Sequence, residues 1–190
     1  MGRPHRIVVL GASGTGKTAL VQQLLFGDYV VRSYPGVHLS VSDVYEMCVK
    51  TERGFTERMQ VYDTPGHTFD TDTEETALTQ EHFLSIADAF VLVYSVTCRG
   101  SFDRATALYH KTSWKTKCPI SLVGMKCDLE DQRVVGKEEG KAWAKAHNSF
   151  YSDGTVKNRA GLQEPFVHIA SCLSTVVEKG APKPQRMLPL

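Results

Sequence analysis

The sequence predicts an α/β domain: an open, mostly parallel six-stranded sheet with one antiparallel edge strand and helices on both faces. Three observations carry this prediction. Short apolar runs alternate with segments of helical, 3.6-residue periodicity. A glycine-rich string of the phosphate-binding kind joins the first run to the first helical segment. Two extended segments face each other across a short turn, as in a hairpin. The chain has 190 residues, enough for one such domain with a full core.

The elements follow in order. Ile7–Leu10 is a continuous apolar run, as suits a parallel strand covered on both faces. It leads into Gly11-Ala12-Ser13-Gly14-Thr15-Gly16-Lys17-Thr18, which fits the pattern G-x-x-x-x-G-K-[ST]. The glycines let backbone N–H groups turn inward as an anion nest, and the positive end of the next helix points to the same place. Lys17 can reach outer phosphates, and the Thr18 hydroxyl can ligate Mg²⁺. An ordinary glycine-rich turn would explain the glycines but not Lys17-Thr18. Ala19–Phe26 is the helix that follows, and Asp28–Asp43 is a loop.

Val44–Lys50 and Glu57–Asp63, joined by Thr51-Glu52-Arg53-Gly54, form the hairpin and make one sheet edge antiparallel. Asp63-Thr64-Pro65-Gly66 leaves its second strand. A carboxylate there, opposite Thr18, can hold Mg²⁺ through a water, and Gly66 can offer a backbone N–H to a terminal phosphate. A plain Asp-Thr-Pro-Gly turn is the competing reading. Leu78–Ile86 and Phe102–Trp114 read as helices, Ala89–Val96 and Ile120–Met125 as strands. Trp143, Ala144 and His147 continue helical spacing from Gly140. Leu162, Phe166, Ile169, Leu173 and Val176 mark a last helix, in which Pro165 is tolerable only within the first turn. From Lys179 to Leu190 the chain carries Pro182, Pro184 and Pro189 without periodicity. The expected organisation is one domain over 1–178 and a disordered tail over 179–190.

Bulk properties exclude several functions. The net charge is +1, and aromatics are not interleaved with a basic stripe, so nucleic-acid binding is not indicated. No run of about 18 apolar residues offers a membrane span. Met1–Arg6 has no apolar segment of the secretory kind, and Arg6 stands where a myristoylation signal needs a hydroxyl. The five cysteines, Cys48, Cys98, Cys118, Cys127 and Cys172, show no C-x-x-C spacing, which suits a reducing cytosolic or nuclear setting with each as a small buried apolar residue. The seven histidines lack metal-ligand spacing.

After the strand Ile120–Met125 come Lys126-Cys127-Asp128, and here the chain resembles the Ras-like small GTPases, a family of P-loop GTPase domains. Their base-binding motif is Asn-Lys-x-Asp. The resemblance implies that Asp128 accepts hydrogen bonds from guanine and that the Lys126 stem packs on the base. Tyr94 to Phe102 and the order of elements are similar too, and Thr155-Val156-Lys157 lies, as a loose match, where the family has Ser-Ala-Lys. Within the family the chain is most similar to the kappaB-Ras branch. The strings that carry this are Gln23 to Gly27 with Val30-Val31, Asp43 to Tyr45 running to Thr51–Gly54, Tyr62-Asp63-Thr64, Asp131-Gln132-Arg133, Trp143-Ala144-Lys145, and Leu162 to Ser171 with its Pro165. The branch lacks a lipidated C-terminal cysteine, and this chain ends Met187-Leu188-Pro189-Leu190.

Four positions depart from the Ras pattern. His67 stands where most members have a water-positioning Gln; Asp63-Thr64-Pro65-Gly66-His67 resembles translation-factor GTPases, where a His takes that role. A solvent-facing loop histidine remains the alternative. Ser13 crowds the space that a fast-hydrolysing member leaves to water. Pro35 is followed by Gly36 rather than by the Thr that closes on Mg²⁺; Ser33, Ser40 and Ser42 are candidate substitutes. Met125 replaces the Asn of the base motif, and a thioether cannot supply the amide's bonds. Losing one or two of them costs about 1–3 kcal/mol, roughly ten- to a hundredfold in affinity.

The resemblance therefore implies a GTP/GDP- and Mg²⁺-binding protein with slow turnover. Gly11, Ala12, Ser13, Gly14, Thr15, Gly16, Lys17, Thr18, Gly66, Lys126 and Asp128 would contact nucleotide, Thr18 and Asp63 the metal, and His67 the attacking water. It also implies binding to NF-kappaB inhibitor proteins, a link to Ral-pathway regulators, a cytoplasmic monomer and no lipid anchor. The rivals are a catalytically inactive pseudo-GTPase scaffold and, against the hairpin and the missing Arg-rich lid, a P-loop nucleotide kinase.

Overall fold

The computed structural model of the chain describes residues 3–26, 43–66, 81–112 and 118–180. In chain order the elements are β1 (His5–Leu10), α1 (Lys17–Phe26), β2 (Asp43–Lys50), β3 (Thr56–Asp63), a helical segment over 81–86 (α2), β4 (Ala89–Ser95), α3 (Arg99–Thr112), β5 (Ile120–Met125), α4 (Lys137–Ala146), β6 (Phe150–Gly154) and α5 (Arg159–Gly180). The strands form one sheet in the order β2-β3-β1-β4-β5-β6. Among the described strands, only the β2–β3 pair is antiparallel. The predicted class and the antiparallel edge are both present.

Alternation along the strands builds two cores. Ile7 and Val9 of β1 and Val91 and Val93 of β4 face α1 (Leu20, Leu24) and α5 (Phe166, Ile169). Val8, Leu10, Phe90 and Leu92 face the opposite way, onto Phe83 and Leu84 of α2 and Phe102 and Leu108 of α3. Trp143 of α4 packs on this second cluster. Each fully buried side chain of this size contributes about 1.5–3 kcal/mol of transfer free energy. Strands covered on both faces must be apolar throughout, which is why β1 and β4 read as unbroken runs.

The cysteines are not buried as expected: Cys48 on the edge strand β2 and Cys98 in the turn before α3 are exposed, and Cys118, Cys127 and Cys172 are partly buried. Two elements also differ from the sequence reading. No apolar run marks β6, because as an edge strand paired only to β5 it carries Ser152 and Asp153 within Phe150–Gly154. Pro165 lies in the second turn of α5, not the first, because the helix begins at Arg159. The proline removes the N–H that would reach the Gly161 carbonyl. Burial of Leu162, Phe166 and Ile169 at 0% exposure holds the helix through this defect. The helix also continues to Gly180, two residues into the span read as tail, while 181–190 lie outside the described residues.

Candidate functional site

Parallel pairing aligns the carboxyl ends of β1, β3, β5 and β6, and every described candidate residue follows one of those ends. The phosphate-type loop leaves β1 at Leu10 and enters α1 at Lys17. Gly11 has no alternative: a Cβ there would stand 2.1 Å from the Val93 carbonyl oxygen. The Lys17 ammonium is buried and donates to the carbonyls of Gly11 and Ala12, both at 2.9 Å. The Thr15 hydroxyl donates to the Ala12 carbonyl at 2.9 Å, which tightens the loop from inside. Ser13 and Gly14 lie exposed at its crest.

The β1–β3 register sets Asp63 beside Val9, so its carboxylate faces the start of α1. Thr18 donates its hydroxyl to Asp63 Oδ2 at 2.6 Å. The other oxygen, Oδ1, is buried without a hydrogen-bond partner. Burial raises the Asp63 carboxyl above its ordinary range; the Thr18 bond and the nearby Lys17 charge pull it back, and Asp43 adds a smaller push upward. A buried carboxylate with one orphaned oxygen, beside a hydroxyl, fits a hard divalent cation, because such an ion supplies the missing partner and stabilises the charged form. No group of three or more His, Cys, Asp or Glu residues poised for a metal occurs among the described residues.

The next turn is pinned against the loop. Thr64 donates to the Val9 carbonyl at 2.7 Å. Gly66 approaches so closely that a Cβ on it would stand 2.4 Å from Ser13 Cα and 3.0 Å from Lys17 Nζ. Gly66 is therefore at the edge of the phosphate-type loop, where its N–H can serve the same ligand. His67, Gly36 and the serines proposed for the Asp28–Asp43 loop lie outside the described residues.

A second cluster forms past β5 and β6. Lys126 holds φ 67°, a left-handed conformation that costs a non-glycine residue about 1–2 kcal/mol. It turns the chain so that the Cys127 N–H bonds the Gly154 carbonyl at 3.2 Å. Asp128 Oδ1 accepts from the Thr155 hydroxyl at 2.7 Å, and Oδ2 pairs with the Lys157 ammonium at 2.7 Å. These two partners hold the Asp128 carboxyl below its ordinary range, Lys157 most strongly. The loosely matched Thr155-Val156-Lys157 thus lies directly on Asp128.

Met125 links the two clusters. It is 2% exposed, and its Cβ and Cε lie 3.6 Å from where a Cβ on Gly16 would stand. Contact between β5 and the phosphate-type loop is apolar at this point. Two further residues were given no role in the sequence reading, although Arg133 lay in a string that carried the resemblance. Arg159 donates twice to the Leu24 carbonyl, at 2.9 and 3.2 Å, and so caps the end of α1. Arg133 pairs with Asp153 at 3.1 Å. An Arg five residues after a candidate base-binding Asp was the available signal for the second; the first left none.

Comparison with known proteins agrees with this geometry. The model of the Ras family matches residues 6–175. NF-kappa-B inhibitor-interacting Ras-like protein 1 of Homo sapiens is 37% identical over 190 residues, covering 98% of this chain and 95% of the relative. The protein of that name from Danio rerio is 35% identical over 192 residues, covering 98% and 95%. NF-kappa-B inhibitor-interacting Ras-like protein 2 of Homo sapiens is 35% identical over 184 residues, covering 95% and 92%.

Proposed function

The chain belongs to the Ras family, and from that premise we propose a guanine nucleotide-binding protein that takes GTP and GDP with Mg²⁺ and hydrolyses GTP slowly. The observation that carries this is the Thr18–Asp63 contact at 2.6 Å, with a buried, unpartnered Asp63 Oδ1 beside it. Thr18 and Asp63, the latter through a water, would hold Mg²⁺, which when bound supplies positive charge against the phosphates. Lys17 would exchange its carbonyl partners for phosphate oxygens, and the loop N–H groups from Gly11 to Gly16 would line the same anion. Gly66 would serve the terminal phosphate. Asp128 would read the guanine edge with its charge already held, and the Lys126 stem would pack on the base.

Turnover is the weak part of this chemistry. Ser13 occupies the exposed crest of the loop, and Met125 contributes contact but no donor. Hydrolysis depends on positioning water and spreading charge, so crowding hinders it more than it hinders binding. His67 would position the water.

The output we propose is protein binding. The relatives' names describe them as interacting with NF-kappa-B inhibitors, and this chain would do the same, with Ral-pathway regulators as further partners, as a cytoplasmic monomer. The pseudo-GTPase scaffold is the second reading, favoured by the packing of Met125 on Gly16.

Analysis of the nucleotide released from freshly purified protein tests both. Retained GTP supports slow turnover, GDP indicates active hydrolysis, and an empty protein favours the scaffold. A single-turnover rate no faster than that of free GTP removes the enzymatic half of the proposal.

A further inference from the structure

Beneath the base-side loops lies a polar network that no step above uses. The Arg133 guanidinium, with only 11% of its side chain exposed, donates to Asp153 Oδ2 at 3.1 Å, to the Val135 carbonyl at 3.2 Å and to Glu130 at 2.8 Å. Asp153, 10% exposed, accepts on its other oxygen from the Tyr151 hydroxyl, which lies 3.3 Å from that of Tyr94. Burial and the Asp153 bond push the Tyr151 phenol far above its ordinary range, so it stays a donor. Two glycines make the room. A Cβ on Gly124 would stand 2.7 Å from the Tyr94 hydroxyl and 2.9 Å from Asp153 Oδ1. One on Gly140 would stand 2.4 Å from Tyr151 Cε2.

The network joins the two segments that flank Asp128. Arg133 follows Asp128 through the short 3-10 turn Glu130–Gln132; the Leu129 N–H bonds the Lys126 carbonyl and the Gln132 N–H bonds the Leu129 carbonyl, both at 3.0 Å. Asp153 directly precedes Gly154, the acceptor for the Cys127 N–H, and Thr155, the donor to Asp128. The Met125 side chain offers the phosphate-type loop contact but no donor, and the network adds a brace from below to the direct bonds that Asp128 and Cys127 make with Gly154, Thr155 and Lys157. A guanidinium suits that task because its rigid fork serves several acceptors at set angles.

We propose that Arg133, Asp153 and Tyr151 are positioning residues that set the spacing between Asp128 and the 154–157 segment, and with it the preference for guanine, an inference that rests on the guanine-binding function proposed above. The test uses the full chain as wild type, Arg133→Lys and Tyr151→Phe. Three quantities are measured: affinity for GDP and for IDP, which lacks the 2-amino donor; amide exchange at Cys127 and Thr155 in nucleotide-free protein; and thermal stability. Each variant is expected to weaken GDP roughly three- to tenfold and IDP much less, so that the GDP/IDP ratio falls. Exchange at Cys127 is expected to quicken about tenfold while the amides of β1 and β4 stay protected. A lowered melting temperature with the GDP/IDP ratio and the Cys127 exchange unchanged overturns the proposal and leaves a purely structural ion pair. If wild-type protein binds neither nucleotide, the guanine-binding function falls, and Cys127 exchange alone then decides whether the brace holds the loops.

Discussion

Replacing Thr18 with Ala removes the single hydrogen bond to Asp63 Oδ2 and leaves a carboxylate that is 5% exposed with neither oxygen paired. A hydrogen bond to a charged group contributes about 1.5–3 kcal/mol, against roughly 0.5–1.5 kcal/mol when both partners are neutral. In a domain of this size each kcal/mol moves the melting temperature by about 2–4 °C. The metal-free, nucleotide-free variant should therefore melt roughly 3–12 °C below wild type at pH 8. The deficit depends on pH in a defined direction. Burial raises the folded Asp63 pKa, so the folded chain holds a proton that the unfolded chain has released. Stability from this group is thus largest at low pH and is lost as pH rises from the ordinary carboxylate range through the raised folded value. The Thr18 bond lowers that folded value; without it the loss continues to higher pH. The gap between wild type and Thr18→Ala should widen as pH rises from the ordinary carboxylate range through the raised folded value, then level off. Melting curves by circular dichroism in EDTA across that range are the assay, with Thr18→Ser as the control that regains the hydroxyl and most of the stability. A gap that is constant, or that narrows toward pH 8, refutes the reasoning.

Other substitutions probe the remaining parts. Met125→Asn restores an amide beside Gly16 and should tighten GDP by about tenfold in competition assays, while burying a new polar group lowers the melting temperature; unchanged affinity removes position 125 from the base site. His67→Ala should slow single-turnover GTP hydrolysis without weakening GTP binding, and an unchanged rate rules out water positioning. Gly11→Ala forces a Cβ to 2.1 Å from the Val93 carbonyl oxygen, so the loop must shift; nucleotide retention on a desalting column should be lost even where circular dichroism reports a folded protein.

The sheet was legible because its strands advertise burial. Ile7–Leu10, Ala89–Ser95 and Ile120–Met125 are apolar on both faces, and a doubly covered parallel strand has no other way to be written. The phosphate-type loop was legible because its function constrains backbone conformation, and glycine at positions 11, 14 and 16 records that constraint. β6 escaped because an edge strand needs only one neighbour and tolerates Ser152 and Asp153. Pro165 misled because its effect on a helix is local, whereas α5 is held by its long apolar face against the sheet. The tie from Arg159 to the Leu24 carbonyl joins residues 135 apart in sequence through a backbone acceptor. An acceptor of that kind leaves no residue type to find.

The central position of β1 in the sheet has a consequence for how the chain comes to be folded. This strand is made first, yet its neighbours are β3 and β4, so Ile7 to Leu10 stay without partners until synthesis has passed Asp63 and Leu92. Such non-local pairing is slow, and it leaves an adhesive apolar segment on the nascent chain. The base-side loops close later still, after Lys157 has emerged. A chain stalled before β6 lacks Thr155 and Lys157, the partners of Asp128, and also the face of α5 that covers Val9 and Leu20. Retention of the right nucleotide would then report that synthesis and folding had both been completed, and by mass action it would draw late intermediates toward the finished domain.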